Sequence, residues 1–420
     1  MTAIHYKHSQ LHIENTAIAD IAKDIHTPFY CYSQSIIETA YQNYTSQLKQ
    51  VEHLVCFAVK ANSNQAIIKV LADLGAGADV VSQGEMKRAL KAGVPANKIV
   101  YSGIAKTKLE MQFALEQDIF QFNLESENEL ERLSKVASSM NKTARVAFRI
   151  NPDVDAETHT KISTGLSENK FGIPISRARE IYKHASTLPN INIQGVDVHI
   201  GSQLTSLNPF KNAFKLIHEL VVDLRSDGHN INVIDLGGGL GVNYQKDEMA
   251  NAPVIDYCQF IQNLFKDLSC KIVLEPGRSL VAEAGLLISE VIYKKKGEER
   301  TFLIIDSAMN DLLRPSMYDA YHDIITVIQK TNETELVDIV GPVCETGDTF
   351  AQNRELAKLE EGDLLAICSA GAYGATMAST YNTRLLIPEV LVKDDQFSVI
   401  KARRSYDELI ELDSLAEWQS

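Results

Sequence analysis

The sequence predicts an α/β protein, a (β/α)8 TIM-like barrel followed by a mainly β C-terminal domain that also takes an N-terminal strand. Two observations predict it. From about residue 36 to 277, eight short apolar or β-branched runs alternate with longer amphipathic stretches, each run closing on a polar or glycine-rich turn. After about residue 280 the helical stretches stop and short strand-like runs follow one another across turns.

Taken in chain order, Pro28 to Tyr32 is strand-like and precedes the first barrel helix. It is expected to join the C-terminal domain, so that residues 1–35 and 281–420 form one domain and 36–280 the barrel. The barrel runs are Leu54 to Lys60, Ala78 to Ser82, Ile99 to Ser102, Phe120 to Asn123, Ala144 to Ile150, Ile193 to His199, Val233 to Leu236 and Ile272 to Glu275. A doubly wound sheet uses the same units. Against it, Val242 stands where the Gly237 to Gly241 cluster would need the third glycine of a dinucleotide fingerprint, and no Walker A pattern occurs. The later runs are Leu286 to Tyr293, Thr301 to Asp306, Leu336 to Val340, Asp363 to Cys368 and Arg384 to Val392.

Composition excludes some function classes. A formal net charge of −14 argues against a surface built for nucleic acid or anionic lipid. The one basic run, Lys294 to Lys296, reads as a solvated turn. No membrane span or signal peptide is expected, which places the protein in the cytoplasm. Six scattered cysteines without a C-x-x-C pair fit reduced thiols rather than disulfides or zinc, and no metal site is expected.

In a barrel of this kind the working face lies at the carboxyl ends of the strands, and unusual polar residues gather there. Lys60 closes the first run, where burial would favour the neutral amine that a Schiff-base lysine needs. A strand-end lysine snorkelling to solvent is the plain alternative. Asp79 lies in the second run, Arg149 ends the fifth and His199 the sixth, followed by Ser202. Gly237, Gly238 and Gly239 follow the seventh, and Glu275, Gly277 and Arg278 close the eighth. Glycines there let backbone N–H groups reach a phosphate, with Ser202 and Arg278 as further donors. Glu275 suits a protonated ring nitrogen and His199 a ring face. Together these are parts of a pyridoxal 5'-phosphate site.

The motifs FAVKAN (57–62), GADVVSQGE (77–85), KFGI (170–173), HIGSQ (199–203), DLGGGLG (235–241) and EPGR (275–278) carry a resemblance through the barrel. MNDLLRPSMYDAYH (309–322), GPVCETGD (341–348) and GAYG (371–374) continue it beyond. In that order they resemble the diaminopimelate decarboxylases, in the alanine-racemase-like barrel group of pyridoxal phosphate enzymes. The resemblance implies decarboxylation of meso-2,6-diaminopimelate to L-lysine, the last step of lysine biosynthesis, through an aldimine on Lys60. It implies Cys344 as proton donor to Cα, and Arg278, Arg314, Tyr318 and Glu345 as substrate-binding residues. Tyr373 resembles a residue that bonds the cofactor phosphate while reaching the substrate. A homodimer with shared active sites is also implied. A substrate with a second amino-acid end needs a cation for its distal carboxylate and an acid for its distal ammonium, which Arg314 and Glu345 supply. Decarboxylases of ornithine, arginine or carboxynorspermidine are the near alternatives, and a non-catalytic cofactor-binding protein a more distant one. The other cysteines, 31, 56, 258, 270 and 368, read as small buried hydrophobes.

Overall fold

The computed structural model describes residues 3–155, 170–245 and 253–419. The chain divides into two compact units, one of residues 37–280 and one of residues 1–36 with 281–420.

The first unit is a parallel β-barrel with surrounding helices. Its strands are β1 (His53–Ala58), β2 (Gly77–Val80), β3 (Ile99–Tyr101), β4 (Gln121–Leu124), β5 (Ala144–Asn151), β6 (Ile191–Asp197), β7 (Val233–Asp235) and β8 (Lys271–Leu274). Each pairs in parallel with the next, and β8 returns to β1 through the partners Val273 and Leu54. A two-residue strand, Ile173–Pro174, adds to the end of β5. The strands are short and nearly all buried, because helices cover a parallel sheet and leave no solvated face. Leu54, Cys56, Val100, Val233 and Val273 form one buried apolar cluster among them.

Among the described residues of this unit, four helices carry side-chain caps at their first turns. Asn64 Oδ1 accepts the Ala66 N–H ahead of Gln65–Asp73, and Ser82 Oγ accepts that of Glu85 ahead of Gln83–Lys91. Thr107 and Glu110 form a reciprocal capping box before Lys108–Gln117, and Ser126 caps Glu127–Ser139. Such caps are worth about 1 kcal/mol each and end the strand-to-helix turns at defined residues.

The second unit is a mixed β structure. The N-terminal strand Phe29–Ser33 lies between Gly285–Lys296, antiparallel, and Glu389–Lys393, parallel, as its apolar run suggested. Gly285–Lys296 also pairs with Thr301–Ile305 and Leu364–Ile367, and Thr301–Ile305 pairs in parallel with Thr334–Val340. Phe29, Cys31, Leu286, Ile288, Ala366, Val390 and Val392 form the core of this unit.

Some boundaries move. Of the run Arg384 to Val392 only its end is strand, since Pro388 lacks the N–H that a ladder requires. Strands Thr349–Ala357 and Gln396–Lys401 and the N-terminal hairpin Ile4–Lys7/Gln10–Ile13 had no counterpart among the expected runs. The triple lysine is no turn. It ends strand Gly285–Lys296, where the nearly buried Lys294 meets Glu335 at 2.6 Å and Glu360 at 3.2 Å. Glu335, two strands away in the same sheet, and Glu360, in a loop, neutralise the charge.

Candidate functional site

Lys60 lies in a single 3-10 turn, Val59–Ala61, directly after β1. Its Nζ donates to Asp79 Oδ2 at 2.7 Å, and the two strands bring them together because Ala58 and Asp79 are register partners. This corrects the expectation of a desolvated amine. The Lys60 side chain is 36% exposed, and a fully buried carboxylate stabilises its ammonium. The other oxygen of Asp79, Oδ1, has no hydrogen-bond partner among the described residues.

Asp197, Asp235 and Glu275, all buried, gather their carboxyl oxygens within 4.8 Å of one another at the ends of β6, β7 and β8. Asn123 of β4 is fully buried beside them, and its Nδ2 donates to Asp235 Oδ2 at 3.1 Å and Glu275 Oε1 at 3.4 Å. The Gly237 N–H donates to Asp235 Oδ1 at 3.1 Å. Burial, then the neighbouring carboxylates Asp235, Asp79 and Asp197, raises the Glu275 carboxyl well above its usual range. Burial pushes Asp235 up to about 6, against the hydrogen bonds that favour its ionised form, among them one from Glu275. Crowding of buried carboxyls favours the protonated form of the group. Asp235, Asp197 and Asn123 escaped the sequence reading. The signal present was a polar residue interrupting a run expected to be wholly apolar.

His199 stands two residues beyond β6. Burial, then Arg149 and Lys60, holds its imidazole well below the usual histidine value, so it is neutral. Its Nδ1 accepts the Gly238 N–H at 3.2 Å, which places the ring proton on Nε2. Arg149 meets Glu125 at 3.0 Å and donates to the His199 carbonyl at 3.2 Å, while Glu125 accepts the Gly172 N–H of the KFGI segment.

The glycine turn has a backbone reason beyond phosphate access. Gly237 and Gly239 adopt left-handed backbone (φ +62° and +107°). A Cβ on Gly238 would lie 2.3 Å from the Glu275 carbonyl oxygen, and one on Gly239 2.4 Å from that of Gly201. The N–H groups of Gly237 and Gly238 are committed to Asp235 and His199. Gly277 is less constrained, since its Cβ would lie 3.0 Å from that of Ala61. Arg278, buried, donates to Tyr244 Oη at 2.7 Å and Ser202 Oγ at 3.1 Å, which fixes a guanidinium beside a serine hydroxyl. Tyr244 is another residue the sequence reading missed.

In the second unit, Arg314 and Tyr318 open and close the short helix Arg314–Tyr318, with Arg314 buried at 5% exposure. Cys344 is exposed, with Asn382 Nδ2 at 3.7 Å from its Sγ, and Tyr381 Oη donates to Glu345 Oε1 at 2.7 Å. Asp348 braces this turn by accepting the N–H groups of Met309 and Val343 at 2.6 and 2.7 Å. Tyr373 lies in left-handed backbone at φ +55°. The other five cysteines are buried, as read, and burial raises the thiols of Cys31, Cys56, Cys258 and Cys270.

The barrel site fits pyridoxal 5'-phosphate on its own chemistry. A nest of buried carboxyls that keep a proton for want of a cation would accept a protonated ring nitrogen, and the lysine beside it would take the aldehyde. Comparison with known proteins gives the same class. The family described as pyridoxal-dependent decarboxylase, pyridoxal binding domain, matches residues 34–282. A diaminopimelate decarboxylase of Zymomonas mobilis is 47% identical over 421 residues, covering 100% of both chains. The crystal structure of diaminopimelate decarboxylase from M. jannaschii in co-complex with L-lysine superposes with a TM-score of 0.94 at 40% identity, over 99% of this chain and 98% of that one. That from Helicobacter pylori complexed with L-lysine gives 0.90 at 42% identity, over 94% and 98%. The chain belongs to the diaminopimelate decarboxylase family of pyridoxal-dependent decarboxylases.

A pH test follows from the raised Asp235 carboxyl. The folded pKa of Asp235 lies above its unfolded value, so the folded state takes up a proton that the unfolded chain lacks between about pH 4 and 6. Its contribution to stability therefore falls as pH rises through that window. In cofactor-free protein, Asp235→Asn removes this penalty, so its Tm relative to wild type is expected to climb from pH 5 to pH 7.5. A flat or declining difference in thermal melts would show that no proton is held there.

Proposed function

We propose that the chain converts meso-2,6-diaminopimelate to L-lysine and CO2 with pyridoxal 5'-phosphate held at the mouth of a (β/α)8 TIM-like barrel. The observation that carries this reading is the Lys60–Asp79 pair at the strand ends of the barrel that also holds the buried carboxyls Asp197, Asp235 and Glu275. Bound there, the cofactor supplies an electron sink for the pair released when the bond from Cα to the carboxylate breaks. Lys60 would hold the aldehyde carbon, Glu275 the ring nitrogen, and neutral His199 the ring face. Ser202, Gly239, Gly277, Arg278 and Tyr373 would hold the phosphate, and Asp79 keeps the lysine oriented. Among the three turn glycines, Gly239 is the one whose N–H no described residue accepts.

The second unit, residues 1–36 with 281–420, supplies the groups that recognise and protonate the substrate. Arg314, with Tyr318 and Arg278, takes the distal carboxylate, and Glu345 the distal ammonium. After CO2 departs, Cys344 Sγ gives its proton to Cα and is left as thiolate. Cys344 and Glu345 come from the partner subunit of a homodimer, so each site is shared. Free, mostly buried thiols suit a reducing compartment, in keeping with a cytoplasmic enzyme. Among the described residues, no helix is long and apolar enough to cross a membrane. L-lysine bound to two relatives is consistent with lysine as product.

A substrate panel tests the assignment: CO2 release from meso-diaminopimelate should far exceed that from ornithine, arginine or lysine. Preference for ornithine would hand the case to the sibling decarboxylases. Arg314→Ala should raise the KM for meso-diaminopimelate by about a hundredfold, since losing the partner of a buried charge costs about 3 kcal/mol or more. Steady-state kinetics checks this, and an unchanged KM removes Arg314 from the substrate site.

A further inference from the structure

Arg314 is aimed by a second side chain from its own segment. His322, fully buried, lies with its Nδ1 2.8 Å from the Cys368 carbonyl oxygen. A carbonyl only accepts, so Nδ1 carries the hydrogen and Nε2 presents a lone pair. Nη1 of Arg314 stands 2.7 Å from that Nε2, and a guanidinium only donates. The two bonds thus fix each other's direction through a neutral imidazole.

The imidazole is itself braced. The His322 carbonyl accepts Arg354 Nη1 at 3.1 Å, and the Arg354 guanidinium lies 4.2 Å from the Tyr321 ring centre. Cys368 N–H donates to the Asp323 carbonyl at 2.8 Å, and the next residue, Ile324, pairs with Ile367 in the sheet. A continuous path therefore runs from the sheet through His322 to the guanidinium. An arginine has several freely rotating bonds, and holding one N–H fixes where the remaining donors point.

We propose that His322 is a positioning residue that orients Arg314 toward the distal carboxylate and so sets selectivity for a substrate with that group. The proposal rests on the reading that Arg314 binds this carboxylate. Its test uses two variants of the cofactor-loaded enzyme. In His322→Asn the side-chain amide overlies Nδ1 and keeps the bond to Cys368, but is too short to reach Arg314. In His322→Gln the amide oxygen overlies Nε2 and keeps the bond to Arg314.

The expected result is a roughly tenfold higher KM for meso-diaminopimelate in His322→Asn with kcat within about threefold, and a KM within about threefold of wild type in His322→Gln. In an Arg314→Ala background, His322→Asn should raise KM no further, because the group it aims is gone. General damage to the unit would instead lower kcat and add to the Arg314→Ala effect. The proposal is overturned by an unchanged KM in His322→Asn, by an equal rise in His322→Gln, or by additivity in the double variant. Failure of the underlying reading is visible separately, as an Arg314→Ala enzyme of normal KM.

Discussion

Lys60→Ala is expected to abolish nearly all turnover together with the borohydride-sensitive visible absorbance of the loaded enzyme. The amine is the group proposed to bond the cofactor aldehyde, and among the described residues Lys60 is the lysine paired with Asp79. Cofactor should still associate through its phosphate, at lower affinity. The structure adds a second expectation. Asp79 is fully buried, one of its oxygens already lacks a partner among the described residues, and the substitution removes the ammonium from the other. Breaking a fully buried pair costs about 3–5 kcal/mol, and the 36% exposure of the Lys60 side chain brings the expected loss below that range. Lys60→Ala should therefore melt at a lower temperature than wild type, and adding Asp79→Asn should recover much of the loss without restoring turnover. Absorbance spectra and thermal melts of the two variants check both points. An unchanged visible band in Lys60→Ala would remove Lys60 from its assigned role.

That coupling between Lys60 and Asp79 also shows how far the sequence could be read. Both residues were singled out, because a charged group ending or interrupting an apolar run is conspicuous. Their mutual contact depends on the register of β1 against β2, which a separation of 19 positions along the chain does not announce. Parallel strands buried on both faces read as continuous apolar runs, so the barrel runs were legible to within a few residues. Edge strands were harder. Gln396–Lys401 holds no fully buried residue, and its alternation carries little apolar signal. The hairpin between Ile4–Lys7 and Gln10–Ile13 turns through His8 and Ser9 in left-handed backbone (φ +50° and +60°), without the glycine or asparagine that marks such turns.

At the site, the residues expected to touch cofactor or substrate were legible as types, whereas those that support them were not. Asp235 and Asn123 act on Glu275 from different strands, and His322 on Arg314 from the far end of one segment. Their roles exist only as contacts. Glycines 237–239 were legible for a reason that is half of the physical one. Their missing side chains also admit the backbones of Glu275 and Gly201, which seats the turn against the carboxyl proposed to meet the pyridine nitrogen.

Mixing Lys60→Ala with Cys344→Ala is expected to return roughly a quarter of wild-type activity from two nearly inactive proteins. In the proposed two-fold dimer the lysine comes from one subunit and the cysteine from the other. An isologous interface makes each contact twice, so one dimer holds two sites across it. Random exchange of equal amounts makes about half the dimers mixed. In each mixed dimer one site combines the two defects, and the other combines the intact Lys60 of one subunit with the intact Cys344 of its partner. Half the dimers with one working site of two gives about a quarter of the full activity. Were Lys60 and Cys344 of a single subunit to serve the same site, every site in a mixed dimer would carry one defect, and exchange would restore nothing. The assay is therefore read only after subunit exchange has been verified, for example by recovering differently tagged subunits together. Activity that stays at background under verified exchange refutes the shared site while leaving the roles of the two residues standing.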